Sequence, residues 1–284
     1  MKNFLIIIHH NDFESLNHLV DNVKDYKIID KVLVYDNASE ELVVNKLKNL
    51  ENDFVEIIYD NENKGYSYAI NKASKYLIDN YGECNLIVSN CDVIIKKEED
   101  IAKLVDDLKI SGVGLVAPTI KEKNTLNHGW KQPKPKQDIL LSIIYFHRFF
   151  EKKYVKYPEE YYKNEYSFVD VVSGCMFAIN STVLQDVNFF DDNVFLYYEE
   201  NILCKKLKSK NYKVLIDNEA SIIHNHSVSI NKNLSKIKKY KILKKSQYYF
   251  EKNYNNANLF ELCMLKIVNG LSGLFLRIKY LFEK

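Results

Sequence analysis

Short apolar runs alternate with segments of helical periodicity over the first half of the chain. Phe4–Ile8 is continuously apolar, the pattern of a strand buried on both faces. Asp12–Lys24 follows, with Phe13, Leu16, Leu19, Val20 and Val23 at helical spacing. Val32–Tyr35 predicts a second strand. It ends at Asp36-Asn37-Ala38-Ser39, a turn and cap sequence leading into a helix over 40–50. Phe54–Tyr59 repeats the pattern, and Asn63-Lys64-Gly65 opens a helix that runs to Tyr81. Leu86–Ser89 is a fourth strand ending at Asn90-Cys91-Asp92. The helix over 98–110 starts with Glu98-Glu99-Asp100, which suits the helix dipole, and Val113–Ala117 is a fifth strand.

Strands alternating with helices of this length predict βαβ units, hence an α/β fold with a mostly parallel sheet flanked by helices. Such sheets bind ligands beyond the carboxyl ends of their strands, where His9–Asn11, Asp36-Asn37, Lys64-Gly65 and Asn90–Asp92 fall. No G-x-G-x-x-G follows the first strand and no P-loop pattern occurs, which disfavours a dinucleotide-binding reading. Residues 121–165, with Pro133, Pro135 and Pro158, break the rhythm. They read as a long loop or excursion over the site, partly helical around Ile139–Phe150. Order returns at Phe168–Ile179, Ser181 caps a short helix, and Phe195–Tyr198 leads into a helix over 199–210. Val214–Ile216 and Ser221–His224 read as two short strands. From Ser235 the pattern is helical to the end, with a break at Asn253–Asn258.

Charge changes this picture at one place. The net charge of +2 over 284 residues is a difference of two larger numbers. Residues 231–284 hold 12 Lys+Arg and 3 Glu, or +9, and the remainder holds 28 against 35, or −7. An acidic body over 1–230 with a basic tail over 231–284 is the domain division this implies. Lys232, Lys236, Lys238, Lys239, Lys241, Lys244 and Lys245 crowd one segment of the tail, and an apolar amphipathic stretch follows from Leu259 to Phe282. A basic helix beside such a stretch reads as lying on an anionic membrane surface. Packing onto the body and forming a homodimer are the other readings. No stretch reaches the ~20 apolar residues of a spanning helix, since Glu261, Lys266, Arg277 and Lys279 interrupt this one. Arg148 and Arg277 are the only arginines, which argues against an Arg cluster for phosphate, and no nucleic-acid partner is expected. Five scattered cysteines without C-x-x-C read as reduced thiols, and the apolar run after Met1-Lys2-Asn3 is too short for a signal peptide. A cytoplasmic chain, peripheral at the inner face of the plasma membrane, is the expectation.

Three constellations could carry chemistry. Asn90 and Asp92, two apart in extended chain, can reach one ligand together. Asp92 either caps a turn or, with a neutral partner, holds a divalent ion whose other ligands are phosphate oxygens and water. Glu199-Glu200 begins a helix, where acids are common. Glu200 shares a face with Leu203, Cys204 and Leu207, whereas Glu199 aligns with Lys206. A carboxylate at the top of the core-facing stripe needs a partner or a task. His224 and His226 project to one side if extended, either as surface decoration or as metal or phosphate ligands.

The ordered set of these segments resembles glycosyltransferase family 2, the GT-A-fold, mostly inverting nucleotide-sugar transferases, and within it the rhamnosyltransferase-like branch. The similar stretches are Val34–Ser39, Asn61–Asn71, Leu86–Val93, Val172–Ile179, Phe190–Cys204 and Ala220–His226, in register over residues 3–230. The resemblance implies that Asp36 contacts the nucleotide base and that Lys64-Gly65 lies along the nucleoside, with Asn11 and Asn90 in the same donor site. It implies Asp92 as the last acid of a D-x-D-type motif holding Mg2+ or Mn2+ against the diphosphate, with His224 as a second metal ligand. Glu200, with Glu199 beside it, takes the place of the catalytic base. Asn90 stands for the first acid of the motif, Glu200 for an Asp, and Asn201-Ile202 where a further acid is usual. The expected partners are a dTDP- or UDP-linked sugar donor and a glycan or lipid-linked acceptor in bacterial surface polysaccharide synthesis. An inactive relative acting as a scaffold, or a sugar-1-phosphate nucleotidyltransferase, are the competing readings.

Overall fold

The computed structural model describes residues 1–122, 125–225 and 235–282. Its strands are Lys2–His9 (β1), Lys31–Asn37 (β2), Val55–Asp60 (β3), Cys84–Asn90 (β4), Val93–Ile95 (β5), Val113–Glu122 (β6), Thr125–Asn127 (β7), Gly129–Trp130 (β8), Tyr166–Val169 (β9), Val171–Val172 (β10), Met176–Asn180 (β11) and Lys213–His224 (β12). Phe13–Val23 (α1), Glu41–Leu47 (α2) and Tyr66–Tyr81 (α3) link the first strands, and Glu98–Asp107 (α4) precedes β6. Pro135–Leu141 (α5), His147–Tyr154 (α6), Ser181–Asp186 (α7) and Glu199–Ser209 (α8) follow, then Lys236–Asn253 (α9) and Leu259–Phe282 (α10).

The apolar runs pair as their burial demands. β3, β2, β1 and β4 lie side by side in parallel, and β1 is buried along its whole length after Lys2. The sheet continues β4-β11-β6-β12-β5. β6 and β12 are parallel, while β11 runs antiparallel between β4 and β6, and β5 runs antiparallel to β12. One apolar layer packs Leu16, Leu19 and Val23 of α1 with Ile101 and Leu104 of α4 against one face. The other seats Ile70, Ala73 and Leu77 of α3 with Leu203, Cys204 and Leu207 of α8 on the opposite face. All five cysteines are free thiols, four of them buried and Cys263 exposed.

Four local expectations change. Residues 121–165 are helical around Ile139–Phe150 as expected, in α5 and α6, but carry strand as well: β6 runs on to Glu122, β7 pairs back on it, and Pro135 starts α5 at the position where a missing N–H costs nothing. The two short strands of the 213–224 region are one twelve-residue strand, β12, with a bulge between Asp217 and Ser221. Asp217 Oδ1 accepts from the backbone N–H groups of Glu219 and Ala220, closing that bulge. Asn180 rather than Ser181 caps α7, accepting from the Thr182 N–H. Finally, Leu259–Lys279 is long and apolar enough, by length and composition, to cross a membrane, with mean hydropathy 1.6. Its charges are too sparse to break the run.

The 230/231 division, Lys232 and His226 lie outside the described residues. On either side of that gap, α9 packs on the body: Phe250 is fully buried with Val194 and Ile202, and Lys205 Nζ donates to Asn255 Oδ1 at 3.3 Å.

Candidate active site

The parallel strands deliver their carboxyl ends to one edge, and the first group of candidate residues collects there. Asp36, at the end of β2, is buried, and its Oδ1 lies 2.8 Å from His9 Nδ1 at the end of β1. Its Oδ2 accepts from the Ser39 N–H at 3.1 Å, and Ser39 Oγ accepts from the Asn11 N–H at 2.8 Å. Asn11 takes φ +57, a turn conformation that Asn tolerates better than most residues. Asn37 Nδ2 donates to Asn63 Oδ1 at 3.0 Å and so ties β2 to the turn before α3. Lys64, in that turn, is exposed, pairs with Glu62 at 3.4 Å and stands over the Tyr68 ring. Gly65 has φ +103, and a Cβ there would fall 2.8 Å from Phe195 Cα, so only glycine fits. That close approach, with Tyr66 N–H donating to the Phe195 carbonyl at 3.0 Å, seats the 190–198 segment at the edge of the sheet.

The second group meets around Tyr66. Its hydroxyl lies 2.8 Å from Asn90 Oδ1 and 3.0 Å from the Gly174 carbonyl oxygen. Burial first, and then Glu199, Glu200 and Asp92 among its neighbours, push that hydroxyl well above the usual tyrosine range. The antiparallel strand β11 brings Gly174 there, since the Asn90 N–H donates to the Cys175 carbonyl at 2.8 Å. A Cβ on Gly174 would lie 3.9 Å from Glu200 Oε2, so the bare backbone leaves room beside that carboxylate.

Glu199 and Glu200 both turn inward at the start of α8. Glu199 aligns with Lys206 as expected for seven residues along a helix, and that face is also covered: Lys206 Nζ donates to the Phe189 carbonyl at 2.5 Å. Glu199 is 8% exposed and its Oε2 is buried with no hydrogen-bond partner. Desolvation, and then the neighbouring Glu200, raise Glu199 well above the ordinary carboxylate range. Desolvation pushes Glu200 up to about 7. Burial and the neighbouring carboxyl thus make Glu199 the harder of the two to ionise. Glu200 lines a cleft of 1420 Å3 with Trp130, Tyr197, Tyr198 and Lys244, whereas Glu199 does not line it.

On the other side of the sheet edge, β5 pairs with β12 so that His224 stands opposite Val93, and the Asn225 N–H donates to the Asp92 carbonyl at 3.0 Å. His224 Nε2 is 3.3 Å from Asp92 Oδ1, and the side chains are 11% and 10% exposed. Its Nδ1 is 3.1 Å from Glu122 Oε1. Burial opposes charging of this imidazole, but hydrogen bonds to Asp92 and Glu122 outweigh it and raise its pKa. One carboxylate and one imidazole form an oxygen and nitrogen donor pair that Mn2+ accepts and Mg2+ accepts less well. The pair fits such an ion incompletely: among the described residues no group of three or more His, Cys, Asp or Glu could hold a metal by itself.

Sequence reasoning missed Tyr66, Glu122 and the strained pair Tyr197 and Tyr198. Tyr66 directly follows Gly65 at the first turn of α3, a position whose neighbourhood is set by strand order. Glu122 was hidden because the fifth strand read as ending at Ala117. Tyr197 and Tyr198 take φ +68 and +69, a conformation that costs a residue with a Cβ about 1–2 kcal/mol. Non-glycine strain of this kind collects where a site needs an enforced geometry.

A sheet with its carboxyl-end acids and histidine at one edge, and a cleft that Glu200 lines, is the architecture of the GT-A-type transferases. Residues 4–187 match the family described as glycosyl transferase family 2, and the chain belongs to it. The low-salt glycan biosynthesis hexosyltransferase Agl10 of Haloferax volcanii is 23% identical over 224 residues, 79% of this chain and 67% of that protein. Similar folds include GalNAc-T7, crystallised with UDP, GalNAc and Mn2+. It has a TM-score of 0.63 and 13% identity over 95% of this chain, which spans only 55% of the GalNAc-T7 chain. The mannosyltransferase PcManGT from Pyrobaculum calidifontis, in complex with GDP-Man and Mn2+, has a TM-score of 0.58 and 14% identity. That match covers 95% of this chain and 71% of PcManGT.

Proposed function

We propose that the chain moves a hexose, with inversion, from a dTDP- or UDP-linked donor to a hydroxyl of a glycan or lipid-linked saccharide in bacterial surface polysaccharide synthesis. The observation that supports this reading is the meeting of Asn90, Asp92, Glu199 and Glu200 around Tyr66, with His224 on Asp92 and Glu200 in the lining of the cleft. The enzymes of similar fold that hold UDP or GDP-Man together with Mn2+ support a nucleoside diphosphate donor and a divalent ion here.

In this mechanism the acceptor hydroxyl attacks the anomeric carbon as Glu200 takes its proton, and the bond to the diphosphate oxygen breaks with its electron pair leaving on that oxygen. Glu199, kept neutral by burial, leaves Glu200 as the charged member that can accept a proton near neutrality. Asp92 and His224 would hold Mn2+ or Mg2+, and the chemistry such an ion supplies when bound is charge compensation at the departing diphosphate. Glu122 fixes the orientation of the His224 ring. Asn90 and Tyr66 form the wall between the two pairs, and Asp36, Asn11 and Lys64-Gly65 line the nucleoside side.

A donor-hydrolysis screen over nucleotide sugars, with and without Mn2+, tests this. Release of nucleoside diphosphate from one donor class, stimulated by Mn2+, is the expected result. No hydrolysis, together with no thermal stabilisation by any nucleoside diphosphate, would assign the chain to the scaffold reading.

A further inference from the structure

Two stretches far apart in sequence leave apolar side chains uncovered at one place. The turn and helix over 144–154 expose Tyr145, Phe146 and Phe149, at 72%, 57% and 64%. Helix α10 is apolar on two faces. Its inner face buries Leu262 and Leu265 against the body, and Ser272 Oγ donates to the Ser142 carbonyl at 2.9 Å. Its outer face exposes Phe260, Ile267, Leu271, Leu274 and Ile278, whose spacing keeps them on one stripe. The rings of Tyr145 and Phe275 stand 4.9 Å apart and join the two stretches.

Charge decides what covers this face. Arg148, Lys152 and Lys153 border the first stretch and Lys266 and Arg277 the second. Residues 235–282 carry 10 Lys+Arg against Glu251 and Glu261, a net +8. A second copy would bring the same positive field and repel, whereas an anionic bilayer surface attracts it. Crossing the bilayer would separate Ser272 from Ser142 and Tyr240, whose hydroxyl donates to the Asn269 carbonyl at 2.8 Å, so the helix lies in the surface plane.

We propose that the outer stripe of α10 and the aromatic turn at 145–149 together dock on an anionic phospholipid bilayer without crossing it. The lining of the cleft that holds Glu200 includes Ile144 and Leu276, next in sequence to Tyr145 and Phe275. Docking therefore sets that part of the lining toward the bilayer. This extension rests on the transferase reading and gives its acceptor a lipid anchor.

Flotation of the full chain with vesicles of phosphatidylcholine, alone or mixed with phosphatidylglycerol, tests the docking. The chain should float with the anionic vesicles, stay at the bottom with the neutral ones, and lose flotation in high salt. Two double variants, Phe146→Ser with Phe149→Ser and Leu271→Ser with Leu274→Ser, should each lower the bound fraction at least about tenfold. Thermal midpoints like that of the parent would show that the variants are folded. None of the four residues lines the cleft, so vesicle-free donor hydrolysis should match the parent rate. A parent chain that floats yet hydrolyses no donor would count against the transferase reading and leave the docking standing. Failure to float with anionic vesicles overturns the docking. So does a concentration-dependent dimer in sedimentation that the Leu271/Leu274 variant makes monomeric, which would assign the face to a second copy.

Discussion

The two glutamates at the start of α8 differ in what surrounds them, and the proposed mechanism divides their roles accordingly. Glu200 faces the cleft with a pKa raised to about 7, while Glu199 is sealed behind it. Glu200→Gln should lower turnover by ~10²–10⁴ with donor affinity unchanged, the loss typical of a general base. Near-parent turnover, read by steady-state kinetics, would move the role to Glu199 or Asp191. Asp191 is the weaker of those two, because its Oδ2 already accepts from Tyr249 and Tyr254 at 2.9 and 2.5 Å. In the proposed metal site Glu122 acts through His224. Glu122→Gln should weaken Mn2+ binding by about 10–100-fold in calorimetry while leaving the fold intact, the usual cost of losing a carboxylate behind a metal-ligating histidine. Unchanged Mn2+ affinity would remove His224 from the metal site. Of these residues Asp92, Glu200 and His224 were singled out in the sequence by their place at or beside element ends, and the family resemblance suggested their roles. Tyr66 and Glu122 were not, because only strand order brings them to the acids.

Elements explain how that geometry is held. Tyr197 and Tyr198 enter α8 in a left-handed conformation, and α9 holds them there. Ser246 Oγ donates to the Leu196 carbonyl at 2.8 Å, Tyr198 OH donates to Asp138 Oδ2 at 3.2 Å, and the Tyr198 and Phe250 rings stand 5.4 Å apart. Gln247 Nε2 donates to the same Asp138 oxygen at 2.9 Å, which ties α5 to α9. Phe250→Ala, at a fully buried position, should cost ~3–5 kcal/mol in chemical denaturation. Ser246→Ala should lower kcat with KM for donor unchanged, and Ser246→Thr should restore it. If kcat holds, the strain before α8 is maintained without α9. The charge pattern marked residues 231–284 as separate from the body. Their contacts with the 190–198 segment, invisible to composition, bind the two together.

At the scale of the whole molecule, buried acids set the pH response. Burial, and then Asp138, push Glu251 of α9 up to about 9, and Glu199 is raised as well. A carboxyl raised in the folded state favours folding below its unfolded value of 4.5 and loses that contribution as pH climbs through its folded value. The thermal midpoint should therefore fall as pH rises from 4.5 toward about 9. Burial lowers Lys244 to about 8, so its contribution has the opposite sign, lost as pH falls from 10.5 through about 8. The interval between 4.5 and about 8 thus belongs to the acids. Glu251→Gln should flatten the fall of midpoint with pH in calorimetry, and an unchanged slope would show that other groups set it.

The sequence by itself determined the alternation of strand and helix, the sheet with its ligand edge at the strand ends, and the acids that lie there. These follow from local physics: apolar runs must be buried, and periodicity says on which face. It also carried the division of charge between body and tail. Tertiary structure alone decided the rest. Antiparallel insertion of β11 beside β4 set Gly174 against Glu200, and the pairing of β12 with β5 placed His224 on Asp92. The packing of α9 and α10 then turned a basic tail into one wall of the cleft. Such contacts join residues as far apart as Asp92 and His224 or Ser142 and Ser272, and no local pattern records which distant segment will supply the other half.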